Sequence, residues 1–183
     1  MLPKLDIQFP LPVDAVLPDY GSDGLYGLAS SLRHWLHDVD AAWLPGEVAA
    51  GEPAVVILLI IDGLGDHFLD TVGQGSALHC ARRRALTSVC PSTTASAVTT
   101  LMTGVSPAVH GLNGWFIHDH RFGGVIAPLP LTQRGGPPLE AFRLLPRLCP
   151  TPPMFHHACR PVNLVSPAGI AFSLFSRHHA RCA

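Results

Sequence analysis

The sequence AVVILLIIDG occupies residues 54–63 and contains the longest apolar run of the chain. Ala54 to Ile61 is rich in β-branched residues and has no polar residue among them. This pattern is typical of a strand covered on both faces, as in the parallel sheet of an α/β protein. Asp62 and Gly63 follow directly, and open α/β sheets bind ligands at the carboxyl ends of their strands. We therefore predict that Asp62 lies at a ligand site.

A second strand and a helix are predicted further along the chain. Residues 85–89 have a strand pattern, PSTT at residues 91–94 is a turn, and Ala95 to Met102 predicts a helix that Gly104 ends. The start of a helix offers free N–H groups and a positive dipole end, which suit a phosphoryl oxygen. A threonine hydroxyl at this point can act as a nucleophile when a metal ion binds it, and an aspartate is a hard oxygen ligand for such an ion.

Each of these features alone has a structural explanation, since a threonine before a helix is usually a cap and Asp-Gly is usually a turn. The combination is more specific. The motifs, in chain order, are Ile60-Ile61-Asp62-Gly63, Pro91-Ser92-Thr93-Thr94, Thr103-Gly104, Pro107 and His110-Gly111. From about residue 54 to residue 115, this order resembles the type I phosphodiesterase/nucleotide pyrophosphatase family of the alkaline phosphatase superfamily.

The resemblance implies a three-layer α/β core of the alkaline phosphatase type with a mainly parallel sheet. It implies metal-dependent hydrolysis of phosphodiester or nucleotide pyrophosphate bonds through a threonine nucleophile, with two Zn²⁺ in the complete site. By position, Asp62 matches the first metal-ligating aspartate, and Thr94 matches the nucleophile that also bridges to metal. Thr93 is the competing choice, but the spacing from Pro91 and from Thr103-Gly104 favours Thr94.

The sequence also departs from the family pattern. Pyrophosphatase members carry a substrate-contacting asparagine where this chain has Trp115, with Asn113 two residues earlier, so the substrate preference stays open. The remaining family ligands, two aspartates and three histidines in downstream motifs, are not found. His118 and His120 have a spacing that suits a metal ion, but surface exposure explains them at least as well.

These departures predict that residues 1–183 are the N-terminal portion of a single hydrolase domain, truncated and with impaired activity. Two alternatives remain open at this stage. The chain can be a non-catalytic fragment of the same fold, or a small α/β module that binds phosphate at a helix start without chemistry.

Composition restricts the partners. The formal net charge is −1 and no basic stripe is visible, which argues against a nucleic-acid-binding surface. A small phosphoester or nucleotide substrate is what the family resemblance implies. The five cysteines are odd in number and lack C-x-x-C spacing, which favours reduced thiols. The longest apolar run is far shorter than the ~20 residues that span a bilayer, and no signal peptide is recognised, so we expect a cytoplasmic protein.

Overall fold

The computed structural model describes residues 12–39, 55–140 and 143–180. In these ranges the helices are α1 (Leu25–Leu36), α2 (Asp66–Thr71), α3 (Ala77–Ala81), α4 (Thr94–Thr103), α5 (Pro107–His110), α6 (Leu144–Leu148), α7 (Ala168–Ala171) and α8 (Leu174–His179). The strands are β1 (Ile117–Asp119), β2 (Gly124–Ala127) and β3 (Thr132–Gln133). The chain therefore combines helices with a small sheet.

The sheet has the order β1-β2-β3, and both strand pairs are antiparallel. Ile126 of β2 lies opposite Ile117 on one side and opposite Gln133 on the other. Gly123, in the turn before β2, has a φ of 81°, a conformation that glycine adopts without a steric cost. The structure thus shows α/β content, but the described sheet is a short antiparallel one rather than the mainly parallel sheet that we predicted.

The difference arises because the predicted first strand does not form. Val55 to Ile61 lies in no strand, and Ala54 falls outside the described residues. An apolar β-branched run becomes a strand only when another strand accepts and donates its backbone hydrogen bonds. Within the described ranges no such partner lies beside it. The predicted second strand, residues 85–89, is reduced to one parallel bridge between Thr87 and Gly24.

The main core lies between α4, the sheet, α6 and α8. Its buried residues are Leu112, Ile126, Leu131, Leu144, Leu145, Leu148, Cys149 and Phe175. Val98 and Met102 of α4 pack against this cluster, so the core supports the helix that begins at Thr94. On its other side α4 packs against α1. A smaller cluster of Leu32, Leu36 and Met154 lies beside α1.

The segment Val55–Ile61 carries an uncovered apolar surface. Val56 packs against the small cluster beside α1, which covers part of one face of the segment. On the other face Val55, Ile57 and Leu59 are 74%, 85% and 72% exposed. No helix in the described ranges is both long and apolar enough to cross a membrane. The exposed apolar face favours association between copies of the chain.

We therefore expect the purified chain to self-associate through this segment. The double variant Ile57→Lys/Leu59→Lys should shift the sedimentation profile towards the monomer, because two charges on the exposed face oppose both edge pairing and apolar contact. Val13→Lys/Val16→Lys is the matched control, since these valines are also exposed but lie outside the segment. A wild-type chain that sediments as a monomer across the micromolar range would contradict this expectation.

Candidate active site

Asp62 lies at the end of the extended apolar segment. The chain turns immediately after it, with Gly63 at a φ of 78° and the Leu64 N–H donating to the Ile61 carbonyl oxygen at 3.4 Å. The positive φ at Gly63 is readily available only to glycine, which explains the Asp-Gly pair in local terms. The side chain of Asp62 is exposed, so both carboxylate oxygens can be reached from solvent.

The two threonines at the start of α4 have different hydrogen bonds. Thr93 is the N-cap residue, and its hydroxyl oxygen accepts a hydrogen bond from the Ser96 N–H at 3.3 Å. Its Oγ1 also lies 3.1 Å from the Ser96 hydroxyl. Thr94 is the first helical residue, and its hydroxyl takes no part in the cap. The cap thus engages Thr93 and leaves Thr94 half-buried at the helix start with its hydroxyl available.

The structure brings Thr94 and Asp62 together across 32 positions of sequence. The Thr94 hydroxyl donates to Oδ2 of Asp62 at 3.1 Å, with Oδ1 at 3.4 Å. One metal ion that binds two ligand oxygens holds them roughly 3–4 Å apart, given metal–oxygen distances of about 2.0–2.2 Å. The pair of oxygens therefore has a spacing that one divalent ion can share. It also lies at the positive end of a ten-residue helix.

His110, of the His-Gly motif, is a buried residue that ties α4 to the turn after α5. Its Nδ1 accepts a hydrogen bond from the Leu112 N–H at 3.1 Å, and its Nε2 lies 3.2 Å from the Thr100 hydroxyl. Burial lowers the pKa of His110 to about 4, so the ring is neutral near pH 7. These contacts occupy both ring nitrogens of His110 and indicate a structural role beside the turn rather than that of a metal ligand.

The His118-Asp119-His120 segment does not converge on Asp62 and Thr94 in a metal-binding group. Asp119 is paired with Arg121, whose guanidinium lies 2.6 Å from Oδ2 and lowers the pKa of the carboxyl below its ordinary value. His118 and His120 are exposed. Across the described residues, no group of three or more histidines, cysteines, aspartates or glutamates is placed to hold a metal ion.

One contact near the site lies outside every sequence motif. The segment 19–25 runs beside residues 84–90, which lead into the turn before α4. Thr87 donates its N–H to the Asp23 carbonyl oxygen at 2.9 Å and accepts the Leu25 N–H at 2.8 Å. The Cys90 N–H donates to the Tyr20 hydroxyl oxygen at 3.1 Å. The local sequence signal for these contacts is the turn-rich stretch YGSDG at residues 20–24.

A comparison with protein families identifies the class of hydrolase that this site resembles. The family model of type I phosphodiesterase/nucleotide pyrophosphatase matches residues 56–125. The matched stretch covers less than half of the chain and contains Asp62, Thr94 and the Thr-Gly and His-Gly motifs. The resemblance that we inferred from the sequence is confirmed over this stretch, and it points to a hydrolase of the phosphodiesterase or pyrophosphatase kind. No curated protein and no solved structure matches the chain significantly.

Proposed function

We propose that this chain carries the nucleophile half of a metal-dependent hydrolase that cleaves phosphodiester or nucleotide pyrophosphate bonds. Thr94 is the proposed nucleophile, and Asp62 is the proposed first metal ligand. The observation that carries this proposal is the hydrogen bond from the Thr94 hydroxyl to the Asp62 carboxylate at the start of α4. The match to the family over residues 56–125 supports the reaction class and a small phosphoester or nucleotide as the substrate.

The residues present suggest how the reaction begins. Because the Thr94 O–H points at Asp62, the lone pairs of Oγ1 are directed away from the carboxylate and remain available to a phosphorus atom. Asp62 orients the hydroxyl and can hold its proton as Oγ1 attacks. The positive end of α4 lies where the phosphoryl oxygens gain negative charge. Attack forms a bond from Oγ1 to phosphorus and breaks the bond to the leaving alcohol or phosphate. The remaining phosphoryl ester stays on Thr94, and water then hydrolyses it.

A divalent ion fits this geometry in part. Asp62 and Thr94 offer two hard oxygens at a spacing suited to one ion, which would lower the pKa of the hydroxyl and offset the phosphoryl charge. The complete two-zinc site that the family implies needs three or four donors for each ion. The described residues do not supply this second set of ligands. We therefore propose that Asp62 and Thr94 are one part of the site and that turnover by the 183-residue chain is impaired.

The broader fold belongs to the same proposal. A mainly parallel, alkaline-phosphatase-like sheet would pair Val55–Ile61 with neighbouring strands and cover its exposed face. Residues 1–183 would then form the N-terminal portion of one hydrolase domain. The cytoplasmic location that we inferred from the sequence stays a prediction.

The proposal predicts metal-dependent turnover at the Thr94 site. With Zn²⁺, Mn²⁺, Co²⁺ or Mg²⁺ present, we expect a high concentration of the chain to release 4-nitrophenolate slowly from bis(4-nitrophenyl) phosphate, and a chelator should stop the release. Mass spectrometry of rapidly quenched samples should locate a 4-nitrophenyl phosphoryl adduct on Thr94. Asp62→Asn keeps the shape of the side chain but removes its charge, so it should lower both signals.

Two results would count against this reaction. If no metal yields nitrophenolate or a Thr94 adduct, the chain does not catalyse the step that we propose. If inorganic phosphate then binds the wild-type chain and protects the amides at the start of α4 from hydrogen exchange, the chain is a phosphate-binding module instead.

A further inference from the structure

The residues that lead into the turn before Thr94 are bound by the segment before α1. Asp19 donates its N–H to the Thr87 hydroxyl oxygen at 2.7 Å, and Arg84 pairs with Asp23 at 2.9 Å. Together with the Thr87 backbone bonds, these contacts fix residues 84–87 against residues 19–25. They do not reach the turn itself, which begins at Cys90.

Among the contacts of segment 19–25 with residues 84–90, the one made by Tyr20 is closest in sequence to Thr94. The Tyr20 hydroxyl oxygen accepts the Cys90 N–H at 3.1 Å, four residues before Thr94. The ring of Tyr20 packs against the ring of Tyr26 on α1, with their centroids 5.9 Å apart. The backbone around Tyr20 is also tightly packed, because a Cβ atom on Gly24 would overlap the Asp19 carbonyl oxygen. The Tyr20 side chain is 43% exposed, and the Tyr26 ring supports one side of the phenol as its hydroxyl meets the Cys90 amide.

We propose that Tyr20 is a positioning residue for Thr94. By accepting the Cys90 N–H, Tyr20 fixes the first residue of the turn formed by residues 90–93. The conformation of this turn sets where the Thr94 hydroxyl lies relative to Asp62. The inference rests on the proposed function in so far as Thr94 is taken as the nucleophile. Tyr20 itself is not assigned a contact with the substrate.

The variant Tyr20→Phe tests this role because it keeps the ring and its packing on Tyr26 but removes the hydroxyl. Tyr26→Phe is the matched control, since it removes the other hydroxyl of the same ring pair. In the full 183-residue chain, amide exchange measured by NMR should become about tenfold faster at Cys90 in Tyr20→Phe, as expected from the loss of one hydrogen bond. Exchange in the α4 interior should stay at the wild-type rate in both variants.

The second readout is Mn²⁺ affinity, measured with the metal alone by electron paramagnetic resonance. A residue that only stabilises the fold would leave this affinity unchanged. We expect the dissociation constant to rise about tenfold in Tyr20→Phe, the usual effect of losing a residue that orients a metal ligand, and to stay unchanged in Tyr26→Phe.

The two readouts separate the inference from the proposed function. Unchanged exchange at Cys90 in Tyr20→Phe would overturn the positioning role, whatever the metal does. Faster exchange with unchanged Mn²⁺ affinity would also overturn it, since the bond would then hold the turn without affecting the site. If the wild-type chain binds no Mn²⁺, the proposal that Asp62 and Thr94 bind metal is wrong. The Thr94–Asp62 contact is then monitored through the chemical shift of the Thr94 methyl group. A shift in Tyr20→Phe that Tyr26→Phe does not reproduce supports positioning, and no shift overturns it.

Discussion

Thr94→Ala is expected to reduce nitrophenolate release and the phosphoryl adduct by about three orders of magnitude or more, because covalent catalysis has no step without its nucleophile. The fold should survive the change. Thr93 rather than Thr94 caps α4, and Thr94 is half-buried at the first helical position. A thermal unfolding curve close to that of the wild type would show that the loss concerns the reaction and not the structure.

Thr93→Ala is the matched control. It removes the hydroxyl that caps α4 by accepting the Ser96 N–H. The loss should cost about 1 kcal/mol of stability, the usual effect of removing a threonine cap. The Thr94 hydroxyl and its bond to Asp62 remain, so most of the turnover should remain as well. The opposite pattern, with activity kept in Thr94→Ala and lost in Thr93→Ala, would move the nucleophile by one residue.

The helix that presents Thr94 was predictable because its limits depend on local chemistry. We predicted a helix over Ala95 to Met102 that Gly104 ends, and the observed α4 is one residue longer at each end. Thr93 supplies the cap, and Gly104 adopts a φ of 70°, which suits glycine at the end of a helix. Both signals lie within one or two residues of the helix, so no knowledge of the remaining fold was needed.

The strand that we predicted for residues 54–61 is not present over Val55–Ile61. Its sequence indicates an extended, apolar segment, and Val55 to Ile61 lies outside every helix. Whether such a segment joins a sheet depends on partners that its own residues do not specify. The small antiparallel sheet formed by β1, β2 and β3 arises instead from short hairpin connections, which need only nearby residues.

The sequence motifs allowed Asp62 and Thr94 to be predicted as site residues, but they gave no indication of Tyr20. The pairing of Asp62 with Thr94 followed from the order of motifs, because nothing local connects residues 32 positions apart. The roles of the two residues stay predictions. Tyr20 escaped notice because a tyrosine in a turn-rich segment has no distinctive pattern, and its contact with Cys90 depends on how segment 19–25 packs.

The buried histidines give the chain a pH-dependent stability. His110 and His179 are each 1% exposed, and burial lowers the pKa of each to about 4. A proton on His178 or on His110 would oppose protonation of His179 further. In His110, Nδ1 accepts the Leu112 N–H, so protonation of Nδ1 would replace this hydrogen bond by a repulsive contact between two N–H groups. In His179, Nδ1 donates to the Phe175 carbonyl oxygen, and Nε2 is buried without a partner among the described residues.

Both histidines therefore fold in the neutral form, and this fixes the sign of the pH effect. In the unfolded chain they titrate near the ordinary pKa of 6.5, so below that pH the unfolded state binds more protons than the folded state. Stability is then fully present above about pH 6.5, falls as the pH drops towards 4, and levels off below it. A gap of roughly 2.5 pKa units corresponds to about 3 kcal/mol for each histidine. That is a large share of the roughly 5–15 kcal/mol that stabilises a typical domain.

We expect urea unfolding to show this loss between pH 7 and pH 4.5. Asp119, whose pKa Arg121 lowers, contributes only below about pH 4, so the carboxylates do not account for the same window. His179→Phe should reduce the loss by about half relative to its own value at pH 7, because one of the two titrating groups is gone. His67→Gln, at an exposed position, should leave the pH profile unchanged. A free energy of unfolding that stays constant from pH 7 to pH 4.5 would show that neither histidine is held neutral by the fold.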